Sequence, residues 1–206
     1  MVSMLQASLR APVTRLITPM CRGLLKLGLS ANGMSAIGAL GAAITAIYFF
    51  GNGKFFIGFF ITLAFVLSDL FDGTMARLSE SGGSKWGALL DSTLDRITDA
   101  TLLGAVAYFL YDSHDQLFVV VLVAMVAGGL VSYIKARAES LEIPCNGGLA
   151  ERTERLIIAF LAIFLQSVHV SFALAIGMWI LAIVSVYTVG ERLIIVYRAT
   201  LLRANK

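Results

Sequence analysis

Long apolar runs alternate with short polar loops along this chain, and the runs predict its architecture. Six of them, at about 32–50, 54–78, 86–111, 116–141, 151–168 and 171–198, approach or exceed the ~18–20 residues a helix needs to cross a bilayer. The segment ahead of them, residues 5–27, has a different pattern. Leu9, Val13, Leu16, Ile17, Met20, Leu24 and Leu27 recur at helical spacing, with Arg10, Arg15, Arg22 and Lys26 between them and Pro12 and Pro19 in the run. That pattern predicts an amphipathic helix lying in the membrane interface. The expected fold is an all-α integral membrane protein with a juxtamembrane segment at 1–29 and a six-helix domain at 30–206.

Charge adds an orientation. With the loops numbered alternately, all of the 16 Lys and Arg except Lys54 fall on one side. The loops on the other side, 111–115 and 166–170, carry Asp112, His114, Asp115 and His169. The positive-inside rule then places both termini in the cytoplasm of a cell-membrane protein. Composition agrees: 58% of the 206 residues are hydrophobic and 14% charged, which excludes an ordinary soluble domain. No secretory signal is visible in the first residues. Cys21 and Cys145 match no metal or redox spacing and read as unpaired thiols. No nucleic-acid partner is expected.

Against this background the stretch DLFDGTMARLSESGGSKWGALLDSTLD, residues 69–95, is anomalous. Asp69 and Asp72 are three apart, Asp91 and Asp95 four apart, so each pair shares a helix face. Carboxylates at membrane depth are costly and mark function. Four together cannot stay ionised without compensation, because like charges push one another toward protonation. Hard divalent cations supply that compensation, and four carboxylates suit two Mg²⁺ or Mn²⁺ ions arranged for phosphoryl chemistry. Gly73 and Ala76 leave room beside such a site, Arg77 adds a cation, and Gly82-Gly83-Ser84 offers backbone N–H groups and a hydroxyl. Together these features suggest a nucleotide diphosphate. A purely structural role, as helix caps or partners of Arg96, fits a single aspartate better than four in this order. Arg96 and Asp99, one turn deeper than Asp95, receive no assignment.

The full pattern is Asp69-x-x-Asp72-Gly73-x-x-Ala76-Arg77, nine residues, then Gly87-x-x-x-Asp91-x-x-x-Asp95. It resembles the signature of the CDP-alcohol phosphotransferase family at every position. The resemblance implies six transmembrane helices, a homodimer, and transfer of a substituted phosphate from a CDP-linked donor to an alcohol with release of CMP. It further implies that Asp69, Asp72 and Asp91 are metal ligands and that Asp95 is both ligand and general base. Gly73, Ala76, Arg77 and Ser84 would then contact the CDP group. So would Ser30 and Asn32, whose turn Ser30-Ala31-Asn32-Gly33 resembles the family's polar turn with Ala31 in place of its usual Pro. The same turn also reads as the N-terminal cap of the first span.

A second polar cluster bears on the alcohol. Ser132, Lys135, Arg152, Arg155 and Arg192 lie near the cytoplasmic ends of the last three spans. They read either as a pocket for a phosphorylated acceptor or as the ordinary basic fringe that meets anionic lipid. The segments SYIKARAES at 132–140 and GGLAERTERLII at 147–158 resemble the actinobacterial phosphatidylinositol phosphate synthases, a branch of the same family. That likeness implies CDP-diacylglycerol as donor, inositol 1-phosphate as acceptor, and these five residues around the acceptor phosphate. A phosphatidylglycerophosphate synthase of the same family is the nearest alternative. A divalent-cation transporter is the alternative from another class, and it leaves Gly73, Ala76 and Arg77 without a role.

Overall fold

The computed structural model describes residues 4–78, 84–145, 147–149 and 151–204, with side chains described among them from Thr14 to Leu202. Eight α-helices follow one another among the described residues: α1 (Met4–Lys26), α2 (Ala31–Thr45), α3 (Phe55–Val66), α4 (Asp69–Leu78), α5 (Lys85–Asp112), α6 (Leu117–Ser140), α7 (Arg152–Ser167) and α8 (Ala173–Ala204). A π-helical turn, Ala46–Phe50, extends α2. No strand occurs among the described residues.

Among the described residues, four helical stretches are long and apolar enough to cross a membrane: Ala31–Phe50, Phe55–Leu78, Leu117–Ser140 and Ala173–Leu202. They leave large apolar side chains exposed, among them Leu40, Ile44, Phe60, Val126 and Ile183. Exposed apolar area on this scale is costly in water and costs nothing against lipid. The predicted segments 86–111 and 151–168 are also helical. However, α5 carries Asp91, Asp95 and Arg96 in its first half and Asp99 at its middle, and α7 has only 16 residues and opens with Arg152, Glu154 and Arg155.

The predicted segment 54–78 is two helices rather than one. The break falls at Leu67 and Ser68, where the Ser68 N–H bonds the Phe65 carbonyl at 3.1 Å and the Ser68 hydroxyl bonds the same oxygen at 2.6 Å. A serine hydroxyl competes in this way with regular helix bonding. The consequence is that Asp69 and Asp72 do not end a long helix: they form the first turn of a new one. A helix N-terminus favours negative charge.

The chain forms two compact units. The first contains Met1–Thr45 and Ile61–Thr98. Within it α2 passes close to the α3–α4 break. A Cβ on Gly38 would run into the Ser68 hydroxyl and lie 3.2 Å from the Phe65 carbonyl, and one on Gly41 would strike the Phe65 ring. These glycines therefore pack helices within one chain. Helix α1 sets the buried Ile17 and Cys21 against Met75 of α4, while Leu16 and Met20 on its other side are exposed.

The second unit contains Ala46–Phe60 and Asp99–Lys206. Here α8 buries Leu174, Met178, Leu181, Ser185, Thr188 and Arg192 along one stripe, at the three–four spacing of a helix seam. The stripe passes from apolar to hydroxyl to charged side chains as it runs along the helix. Val121, Ala124, Gly128 and Val131 are the buried face of α6, and Ala159, Phe160, Ala162 and Ile163 that of α7. Cys145 is buried with Ala138 and Ile143, and neither it nor Cys21 is in a disulfide.

Candidate active site

The break before α4 and the start of α5 bring the aspartates of the first unit together. One carboxylate oxygen each from Asp69, Asp72 and Asp91 lies within 4.8 Å of the other two. An all-carboxylate oxygen set of this size fits a hard divalent cation. Asp72 is the buried member, and the Ser35 hydroxyl of α2 donates a hydrogen bond to its Oδ2. Asp95 lies one turn further along α5, outside this trio. Its side chain is 18% exposed, and its Oδ2 is 3.6 Å from Arg96 Nη2. The Nε and Nη1 atoms of Arg96 are buried and have no hydrogen-bond partner among the described residues.

The residues expected around the CDP group lie in the same unit. An added Cβ on Gly73 would meet only Arg77 Nη1, at 3.8 Å, so the surface over this glycine is open. Arg77 is exposed, and its Nη2 donates to the Thr74 hydroxyl at 3.0 Å. Ser30 and Ser84 are helix caps: the Ser30 hydroxyl accepts from Gly33 N–H at 3.1 Å at the start of α2, and Ser84 accepts from Gly87 N–H at 2.9 Å at the start of α5. The two capped turns meet, since a Cβ on Gly87 would lie 2.9 Å from Asn32 Oδ1 and 3.2 Å from Ser84 Oγ. Gly82 and Gly83 fall outside the described residues.

The basic cluster lies in the second unit, where two carboxylates among the described residues, Asp99 and Glu151, thread it. Asp99 Oδ1 is 3.4 Å from Arg152 Nε, and Asp99 Oδ2 is 3.6 Å from Arg155 Nη2. Glu151 Oε1 is 3.3 Å from Lys135 Nζ and 3.5 Å from Arg192 Nη2. Arg155 is buried, and its Nε lies 3.2 Å from where a Cβ on Gly128 would stand, so the guanidinium packs tightly against α6 at this glycine. Ser132, one turn on from Gly128, points its hydroxyl at the Gly128 carbonyl, 3.5 Å away. Arg192 is 1% exposed, with Nε donating to the Gly147 carbonyl at 2.8 Å and Nη1 to the Val131 carbonyl at 2.6 Å. Gly148, at φ +119°, lets this loop run close against Thr188 and Arg192.

Ser35 escaped the sequence pattern: it is a lone hydroxyl in an apolar run, and its only sequence signal is helical spacing from Asn32. Asp99, set apart in the sequence one turn beyond Asp95 but unassigned, has its partners in Arg152 and Arg155. Glu151 lies among the arginines of its own segment, but its partner Lys135 is 16 residues away.

Comparison with known proteins identifies the family. Residues 29–190 match the CDP-alcohol phosphatidyltransferase family. The chain is 38% identical over 193 residues to a phosphatidylinositol phosphate synthase of Mycobacterium marinum, a match covering 91% of this chain and 82% of that protein. It is 37% identical over 205 residues to one of Streptomyces avermitilis, covering 95% and 84%. The crystal structure of Mycobacterium tuberculosis phosphatidylinositol phosphate synthase with CDP-DAG bound superposes with a TM-score of 0.85 at 37% identity, covering 89% of this chain and 94% of that one. The same enzyme in complex with manganese and citrate superposes with a TM-score of 0.83, covering 87% and 88%. The carboxylate trio, the motif that carries it and these likenesses lead to one assignment: the chain is an enzyme that belongs to the CDP-alcohol phosphatidyltransferase family.

Proposed function

We propose that this protein transfers the phosphatidyl group of CDP-diacylglycerol to inositol 1-phosphate, releasing CMP. The observation that carries the chemistry is the trio Asp69, Asp72 and Asp91 within 4.8 Å of one another. The choice of acceptor is supported by the likeness to phosphatidylinositol phosphate synthases along nine-tenths of the chain.

Asp69, Asp72, Asp91 and Asp95 would hold two Mg²⁺ or Mn²⁺ ions, which when bound neutralise the diphosphate of the donor. Ser35 keeps the Asp72 carboxylate aimed toward the other two. Open space over Gly73, with Ala76 beside it and Arg77 at the edge, accepts the CDP group. The capped turns Ser30–Asn32 and Ser84–Gly87 add hydroxyl and amide contacts. Asp95 takes the proton from the attacking inositol hydroxyl, whose oxygen forms the new bond to the phosphorus attached to diacylglycerol as the bond to CMP breaks. Ser132, Lys135, Arg152, Arg155 and the Nη2 edge of Arg192 receive the acceptor phosphate, beside the N-terminus of α7. Arg192 also anchors the pocket through its two backbone carbonyls.

The membrane arrangement belongs to the same proposal. Residues 30–206 form six spans, with α5 and α7 crossing alongside the four most apolar stretches. Residues 1–29 lie in the interface. Both termini and the site face the cytoplasm of the cell membrane, and the protein is a homodimer. The test is incorporation of phosphorus label from inositol 1-phosphate into lipid by purified protein given CDP-diacylglycerol and Mg²⁺. The expected product is a lipid bearing a phosphomonoester. Label that stays wholly in the aqueous phase while CMP accumulates would reject the acceptor.

A further inference from the structure

The basic cluster of the second unit carries two counter-ions of different kinds. Asp99 is held between Arg152 and Arg155 at 22% exposure. Glu151 is 57% exposed, and a single oxygen, Oε1, faces both Lys135 Nζ and Arg192 Nη2. Glu151 is the residue that caps α7, with extended φ −70° and ψ 175°, yet its side chain makes no capping hydrogen bond. Ser, Thr, Asp and Asn suit that task, and a glutamate carboxylate reaches past it. It reaches instead to the spot between two cations, Lys135 and Arg192. Arg192 shows which edge is involved. Its Nε and Nη1 are fixed on the Gly147 and Val131 carbonyls, leaving Nη2 as the nitrogen directed at Glu151.

We propose that Glu151 is an exchangeable counter-ion that sets acceptor specificity: its carboxylate leaves Lys135 and Arg192 when the acceptor's phosphate binds them. The inference rests on the acceptor reading given above. A neutral alcohol has nothing with which to displace a carboxylate. A phosphate monoester carries more charge and three acceptor oxygens, and it takes over both partners. Glu151 is exposed enough to swing into water, where a lone carboxylate is well solvated. Asp99, less exposed and flanked by two arginines, stays and orients them. Glu151 thus keeps the empty pocket neutralised and weakens binding of every anion, so that only a ligand with contacts beyond the phosphate binds well.

Glu151→Gln keeps the size and removes the charge. CMP release by the purified full-length protein would be measured with inositol 1-phosphate as acceptor and inorganic phosphate as competing probe. The expected result is that the acceptor KM and the inhibition constant of phosphate both fall, by about three- to tenfold for the loss of one or two partly exposed ion pairs. Glu151→Ala must shift both constants in the same direction. An acceptor KM that rises or stays put in these variants overturns the proposal, because Glu151 is then a brace or a contact to the acceptor's ring. Lys135→Ala distinguishes the two levels of failure. If it raises the acceptor KM while Glu151→Gln does not lower it, the exchange alone is wrong. If it leaves both constants unchanged, the acceptor pocket is wrong and the exchange falls with it.

Discussion

At the scale of single residues, the account makes Asp95 and Asp72 do different work. Asp95 stands one turn from the trio, beside Arg96, where a carboxylate can accept a proton. Asp95→Asn is expected to abolish turnover while CDP-diacylglycerol still binds; near-normal CMP release by that variant would remove Asp95 as the base. Asp72 is buried and held by Ser35. Ser35→Ala removes the hydroxyl that orients a ligand, and partners of this kind typically change metal affinity about tenfold or more. The divalent-metal concentration for half-maximal activity should rise by that order in a titration. The aspartates were legible because their spacing is itself the geometry: three and four residues on a helix place side chains on one face. Ser35 was not legible, because its partner is 37 residues away in sequence; Glu151 was legible only as a charge among nearby arginines, because Lys135 is 16 residues away. Arg192 was legible as a candidate for the acceptor pocket, but its burial against two carbonyls depends on tertiary packing.

At the scale of elements, the decisive feature is the break between α3 and α4. A run of apolar residues from 54 to 78 predicts one continuous helix, and hydrophobicity alone cannot register the bond from the Ser68 hydroxyl to the Phe65 carbonyl. The break turns Asp69 and Asp72 into a helix start, where the backbone dipole favours their charge. Gly38 keeps α2 close to this corner. Gly38→Ala forces a methyl group into Ser68 and toward the Phe65 carbonyl, an overpacking expected to cost about 1–3 kcal/mol. Thermal unfolding in detergent would show it, and an unchanged Tm would mean that the corner is looser than described. Helix caps offer a second test. Ser84→Ala removes the bond to Gly87 N–H and should cost about 1 kcal/mol of stability. If Ser84 also touches the CDP group, the KM for CDP-diacylglycerol rises with it, whereas a cap alone leaves that constant where it was.

At the scale of the whole molecule, most segment ends were readable to within two residues because apolar run length and helix length share one physical cause, the thickness of the hydrocarbon core; the exception is α8, which runs to Ala204 where the apolar run ends at 198. α5 and α7 show where that logic weakens. Asp91 and Asp95 lie in the first half of α5, and Arg152 and Arg155 open α7, so the residues that serve chemistry dilute the apolar signal. The division of the chain into two compact units was not visible in the sequence, since no linker or change of composition marks residues 45–61 or 98–99. The motif residues nevertheless sort by unit: the aspartates fall in the first and the basic cluster in the second. That sorting matches a transferase whose donor and acceptor are recognised by separate sets of side chains.

The most direct test of the central claim is CMP release from CDP-diacylglycerol by purified protein with Mg²⁺, comparing inositol 1-phosphate, free inositol and glycerol 3-phosphate. The account predicts release with inositol 1-phosphate and none above background with the other two. Release with glycerol 3-phosphate alone would leave the aspartate chemistry standing and contradict the acceptor, and no release with any of the three would contradict the transfer itself.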